Sequence, residues 1–271
     1  MVQPAFHADA VRLAVFLGLF VLLALAEHLR PRRPLTVSKT ARWRVNLGIV
    51  ALDTLVARLL LPIAPIALAA WLHGQGWGLF NALSFSGPPA VLAGILLLDL
   101  TIYAQHRLFH RTPVLWRIHR MHHTDLDLDV SSGTRFHPVE IVLSFGIKLV
   151  AVAIFGIAPQ AVLLFEILLN ACAMFNHANL ELPQALDRWL RLVIVTPDMH
   201  RVHHSVIVRE TDSNFGFNVP WWDRLFGTYR AQPRDGHLGM TIGLKEWRSQ
   251  QDLGLWPLLR LPFITKIPVK S

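Results

Sequence analysis

The chain of 271 residues contains a single cysteine, Cys172, and it lies within an apolar run. One thiol excludes an intrachain disulfide and any cysteine-based metal or redox motif. Charge is also scarce. Asp, Glu, Lys and Arg make up 16% of the residues, against about 25% in an average soluble domain, while 53% are hydrophobic. That balance argues against an ordinary soluble domain. Acidic residues are the scarcer sign, 18 against 26 basic, which leaves a net charge of +8. No basic region precedes the first apolar run and no small-residue cleavage site stands out, so residues 11–29 do not read as a secretory signal.

Long apolar runs are what the sequence does have. A bilayer core about 30 Å thick needs about 20 mostly apolar helical residues. Residues 11–29 are the cleanest candidate; 45–72 is longer but carries Asp53, Arg58 and two prolines, and 89–105 is a third. Residues 141–157 and 160–175 form a close pair joined at Gly156-Ile157-Ala158-Pro159, which fits two spans or one re-entrant hairpin. The expected fold is an all-α polytopic membrane protein with four or five transmembrane helices and a cytoplasmic helical cap. The sequence divides into an N-terminal transmembrane region (1–88), a central domain (89–230) and a C-terminal cytoplasmic tail (231–271).

Arg30, Arg32, Arg33, Lys39, Arg42 and Arg44 follow the first span, so the positive-inside rule puts that loop in the cytoplasm. Alternation then places Arg107, Arg111, Arg117 and Arg120, and later Arg188, Arg191 and Arg201, on the same side. Orientation and contact with anionic headgroups account for the basic excess, and nucleic acid is not an expected partner. Residues 125–130 alternate apolar with acidic and read as a short strand.

Ten of the fourteen histidines fall between His106 and His204. HRLFH holds His106 and His110; HRMHH holds His119, His122 and His123; HRVHH holds His200, His203 and His204. On a helix, residues three and four apart share a face, so each group is a preformed cluster of ligands. Thr112-Pro113 and Thr196-Pro197 read as N-cap and first helical residue ahead of the two HxxHH groups. Crowded imidazoles repel one another when charged and need donors when neutral; a shared divalent metal resolves both problems. Eight ligands exceed the needs of one ion, so two metals are expected. His137, fixed by Pro138 at a helix start, and His177, at the end of the fifth apolar segment, are further candidate ligands. His7, His28, His73 and His237 lie outside the pattern. Asp99, Glu140 and Asp198 are candidate carboxylates to orient ligand imidazoles. Asp99 stands out, since an ionisable group within an apolar span is costly, although pairing with Arg58 or another base would also explain it.

The order HxxxH, HxxHH, HxxHH resembles the fatty acid hydroxylase/sterol desaturase superfamily of membrane di-iron oxygenases, with TPDMHRVHH and NFGFNVPWWDRLFGTYR adding to the likeness over residues 89–230. That resemblance implies two irons held by His106, His110, His119, His122, His123, His200, His203 and His204, with O2 as co-substrate and His137 and His177 as additions. The first pair departs from the acyl-CoA desaturase pattern, which is spaced one residue wider. No segment looks like a fused cytochrome b5 domain, so a separate donor of ferredoxin, cytochrome b5 or reductase type is implied. Trp221, Trp222 and Phe226 read as packing the cap or sitting at the membrane interface.

Attack on an unactivated C–H bond requires an oxidant that no side chain supplies. Ligands at the cytoplasmic ends of apolar spans suit a membrane lipid: a fatty acyl or alkyl lipid, a sterol or hopanoid, or a carotenoid. Hydroxylation and desaturation both fit. A metal transporter would carry its ligands mid-membrane along a path, and a catalytic zinc commonly takes three protein ligands plus water. A zinc-dependent hydrolase and a non-catalytic lipid-binding relative remain the alternatives, and zinc can replace iron during purification. A bacterial inner membrane is the expected location; an endoplasmic reticulum location would present the same face.

Overall fold

The computed structural model describes residues 3–61, 64–249 and 251–264, with side chains described from Ala10 onward. Its regular structure is helical; among these residues the β pairing is confined to two isolated bridges, Pro31 with Leu180 and Ser205 with Ile242. Five segments are long and apolar enough to cross a membrane, and the chain is a multi-pass membrane protein.

Helix α1 (Gln3–Leu29) leads to α2 (Lys39–Leu60), which starts where the Ser38 hydroxyl accepts from the Ala41 amide. The apolar stretch Lys39–Ala82 is 44 residues long, and one straight helix of that length would run about 66 Å, twice the hydrocarbon thickness. It is instead broken after Leu61 into α2, α3 (Pro65–Gly74) and the single turn α4 (Leu79–Ala82). Pro62, one of the two prolines noted in the sequence, lies outside the described residues. Helix α5 (Gly87–Arg111) returns and passes directly into α6 (Pro113–His123). Helices α7 (Pro138–Phe155) and α8 (Pro159–His177) are separate elements, each of crossing length.

The α7–α8 turn closes on glycine. Gly156 has φ +64° and Gly78 has φ +96°; a Cβ on Gly156 would meet the Trp77 carbonyl oxygen at 2.5 Å, and one on Gly78 would meet the Gly156 nitrogen at 2.3 Å. This contact marks one end of the bundle. At the other end lie the α1–α2 loop, the ends of α5 and α8, the start of α7, and a cap of short helices. These are α9 (Gln184–Leu190), α10 (Pro197–His203), α11 (Val208–Thr211), α12 (Trp221–Leu225), α13 (Gly236–Gly239) and α14 (Leu255–Arg260).

The spans carry their apolar side chains outward: Leu13, Leu17, Val21, Leu22, Leu55, Leu59, Val150 and Ile154 are all exposed. Lipid tails solvate such a surface as well as a protein core does, so the bundle is not held by the hydrophobic effect alone. Its interior is polar as well as apolar. Glu27 accepts from the Val130 and Asn179 amides, at 3.0 and 3.1 Å, and pairs with Lys39 at 2.9 Å. One carboxylate of α1 thus joins the loops that follow α6 and α8.

Residues 125–130 form no strand. Their alternation turns three carboxylates toward α2 and the loop before it. The Arg42 guanidinium meets Asp125 at 2.7 Å and Asp129 at 2.5 Å, and the Asp127 carboxylate accepts from the Thr36 and Val37 amides. Burial by itself would raise the Asp125 carboxyl, but Arg42 overrides it and holds Asp125 at about 2. The segment beyond Arg230 packs back too: Leu258 and Leu261 are buried against Ile49 of α2 and Met121 of α6. Residues 265–271 of the expected tail lie outside the described residues.

Candidate metal centre

Helices α6 and α10 begin at Pro113 and Pro197, after Thr112 and Thr196, as the sequence suggests. Neither threonine caps through its side chain; the Thr196 hydroxyl donates to Asp187 at 2.6 Å instead. Both helices, with the ends of α5 and α8, deliver imidazoles to one buried place.

There the histidines sort into two adjacent groups, each with its ligand-type atoms within 4.8 Å of one another: His106, His110, His119, His123 and His203 in one, His122, His177, His200 and His204 in the other. Each HxxHH helix serves both. Helix α6 gives its i,i+4 pair, His119 and His123, to the first group and His122 to the second; α10 gives His200, with His204 at its C-cap, to the second and His203 to the first. The repeated motif is an exchange that ties the groups together. His123 and His204 stack across the boundary with ring centroids 4.6 Å apart.

The tautomers follow from the hydrogen bonds. Backbone carbonyls can only accept, so His106, His122, His177 and His203 must donate from Nδ1 to Phe215, Arg135, Ala173 and Ser213, at 2.7–3.0 Å. His119 Nδ1 meets Glu140 at 2.7 Å and His110 Nδ1 meets Asp212 at 3.1 Å. With Nδ1 carrying the proton, Nε2 presents a bare lone pair. Yet Nε2 atoms face one another at 3.1 Å in the His106–His119, His110–His123, His122–His177 and His177–His200 pairs. Facing lone pairs repel, and in the His106–His119 and His122–His177 pairs, where an outer partner fixes both rings, no hydrogen lies between them. Protonation offers no relief, because burial first, then neighbouring imidazoles, push His122, His123, His200, His203 and His204 well below the ordinary histidine range. A cation in each group satisfies the arrangement, and nitrogen donors suit a transition metal. The residues fit two metal ions.

The remaining candidates divide. His177 is in the second group, whereas His137 is in neither: its Nδ1 accepts from the Val139 amide at 3.1 Å, capping α7, and its Nε2 meets the Leu259 carbonyl at 3.2 Å. Glu140 orients an imidazole, that of His119. Asp198 does not; it faces Arg32 at 3.1 Å, Arg201 and His237, away from His200. Asp99 touches neither a histidine nor Arg58, and accepts from Trp222 Nε1 at 2.8 Å and the Asn218 amide at 3.3 Å. It anchors the segment that supplies the Phe215 and Ser213 carbonyls. Asp223 completes that anchor, accepting from the Phe215 and Gly216 amides at 2.8 Å. His28 and His73 are exposed, His237 lies with Asp198, and the side chain of His7 is outside the described residues. The sequence reading missed Asp212 and every carbonyl acceptor. A backbone carbonyl has no signature in sequence, and Asp212 lies on a connection whose path no periodicity reveals.

Comparison with known proteins agrees with this geometry. The family model described as "Fatty acid hydroxylase" matches residues 91–228, just over half of the chain. Ornithine lipid hydroxylase OlsE of Rhizobium tropici is 32% identical over 145 residues, covering 53% of this chain and 43% of its own. Alkylglycerol monooxygenase of Homo sapiens is 26% identical over 172 residues, 62% of this chain and 36% of its own. Cholesterol 25-hydroxylase of Rattus norvegicus is 28% identical over 155 residues, 55% and 49% respectively. The chain spans less than half the length of each of these relatives. No solved structure matches it.

Proposed function

The chain belongs to the fatty acid hydroxylase family, and from that premise we propose that it is a membrane di-iron oxygenase that hydroxylates a C–H bond of a lipid. The observation that carries this reading is the double group of nine buried histidines, six of them held at Nδ1 by an outer partner so that the Nε2 lone pair turns inward. His106, His110, His119, His123 and His203 would hold one iron, and His122, His177, His200 and His204 the other. Bound iron supplies the activation of O2 that side chains cannot. In the overall reaction one oxygen atom enters the C–H bond and the other leaves as water, with two electrons and two protons consumed. The electrons come from a separate donor of ferredoxin, cytochrome b5 or reductase type.

The protein contributes position and exclusion. Glu140, Asp212 and the four carbonyls fix six of the nine imidazole rings, so that most of the ligand shell is set before a metal enters. The Phe217 ring lies 5.1 Å from that of His106 and belongs to the apolar core with Leu98, Ile102, Phe165 and Ala173. That apolar floor is suited to a lipid chain and keeps bulk water from the reacting carbon. A zinc hydrolase is disfavoured, since a catalytic zinc commonly takes three protein ligands and a water. The named relatives are hydroxylases or monooxygenases acting on an ornithine lipid, an alkylglycerol or cholesterol, which favours hydroxylation over desaturation and a lipid over a soluble metabolite.

The arginine-bearing α1–α2 loop shares the histidine end of the bundle, with Arg33 donating to the Met240 carbonyl at 2.8 Å. The positive-inside rule makes that end cytoplasmic, in a bacterial inner membrane or the endoplasmic reticulum. The test is expression under isotope-labelled O2 followed by whole-lipid mass spectrometry. One labelled oxygen in a lipid class, absent with His203→Ala, is expected; an unchanged lipid profile from an iron-loaded, reducible protein would favour a non-catalytic lipid-binding relative.

A further inference from the structure

Away from the histidines, α9 and α12 build an apolar and basic face that the proposed chemistry leaves unused. Trp189, Leu192, Trp221 and Leu225 are all exposed there, Trp189 at 67% and Leu225 at 69%. Its depth is fixed by its bonds. Trp222 of α12 reaches Asp99, and Phe226 stacks on Tyr103 at 5.5 Å, both partners lying within the crossing helix α5. Helix α9 is tied to α12 in turn: Trp221 Nε1 donates to the Leu192 carbonyl at 2.8 Å and Arg224 to the Arg191 carbonyl at 3.0 Å. The face is thereby held against the histidine-side half of α5, and its exposed tryptophans and arginine are the residue types that gather at a headgroup boundary.

Beside it opens a cavity of about 360 Å³ lined by Gln184, Asp187, Arg188, Arg191 and Gln232. The one carboxylate there is already engaged, by Arg191 and by the Thr196 hydroxyl at 2.6 Å. Arg188 is exposed and adds a positive charge. Arg191 is nine-tenths buried, donates to the Ala231 carbonyl at 3.1 Å, and keeps a buried Nε with no partner. That atom is closed to the cavity and the rest of the guanidinium is engaged by Ala231 and Asp187, so the charge a ligand would meet is that of Arg188.

We propose that this cavity binds the phosphate-bearing headgroup of an anionic phospholipid, whose chains lie along the exposed Trp189 and Leu192. Arginine suits a phosphate by its planar array of donors, Gln184 and Gln232 serve the polar remainder of the headgroup, and the apolar flank selects a lipid over a soluble anion. The site is separate from the metal centre and would hold a resident lipid at the cap.

The test uses the whole protein in nanodiscs of phosphatidylcholine with increasing phosphatidylglycerol, each lipid supplied in brominated form to quench tryptophan fluorescence. Brominated phosphatidylglycerol is expected to quench more than brominated phosphatidylcholine at equal mole fraction, and the excess should vanish in Trp189→Phe. Arg188→Gln should weaken the phosphatidylglycerol response about fivefold, the worth of one basic residue at an anionic surface, while Arg209→Gln, an exposed arginine on α11, should not. Free inorganic phosphate at millimolar concentration should not compete. Equal quenching by both lipids, an equal loss in Arg209→Gln, or displacement by phosphate would each overturn the assignment, the last in favour of a soluble anion.

Discussion

At the scale of single residues, the centre is built less by the ligands than by what stands behind them. Glu140 is the acceptor for His119 Nδ1, and Glu140→Leu leaves that imidazole free to turn over and present the wrong nitrogen. A 10–100-fold loss of metal affinity, the range typical for removing such a partner, is expected in a metal titration; Glu140→Gln, whose amide oxygen still accepts, should lose less. His137 and His177 make a sharper contrast, because the sequence offers no reason to separate them. Both sit at helix ends near the boxes. In space, His177 meets His122 and His200 at 3.1 Å, while His137 spends both nitrogens on the Val139 amide and the Leu259 carbonyl. His177→Ala should therefore empty the second metal position. His137→Asn should keep full metal content and only lower thermal stability, by about 1 kcal/mol if the cap is partly retained. Metal analysis of the two purified variants decides it; loss of metal from His137→Asn would make His137 a ligand after all.

At the scale of elements, the spans and box helices were largely legible, for physical reasons. A crossing helix must be long and apolar, and Thr-Pro marks a helix start whichever neighbours it later packs on. The sequence did not reveal that each HxxHH helix serves both metal groups, because helical spacing gives the direction of a side chain and not the partner it meets. Residues 125–130 failed for a related reason: alternation says that alternate residues face one way, and here the common direction was Arg42 and the loop before α2 rather than a neighbouring strand. That network has a testable pH dependence. Asp125, held at about 2 against an ordinary 3.8, contributes stability that is present above pH 4 and lost as the pH falls toward 2. Arg42→Met leaves buried carboxylates without their cation and is expected to cost about 3–5 kcal/mol near neutrality. The deficit should shrink on acidification, as the orphaned Asp125 takes up a proton that the wild type refuses until lower pH. Thermal unfolding in detergent across pH 4–7 measures it, and a deficit that did not change with pH would count against the ion pair as its cause.

At the scale of the whole molecule, the chain is organised from its polar inside outward. Apolar side chains of the spans face lipid, while Glu27, the Arg42 network, Asp99 and Asp223 hold the cap on the bundle and thereby set the carbonyls behind the imidazoles. Composition announced the membrane and histidine spacing announced the clustered imidazoles, but the scaffold joining them is made of loop backbone, which leaves no periodic trace. The central claim is that this scaffold places two metal ions side by side. The most direct test is metal content and Mössbauer spectrum of protein produced with isotopically enriched iron, purified in mild detergent, and compared with His203→Ala. About two irons per chain in a coupled pair are expected, with the coupling lost in the variant because His203 belongs to the first group while its helix serves the second. A single uncoupled iron, or zinc alone after anaerobic iron loading, would contradict it.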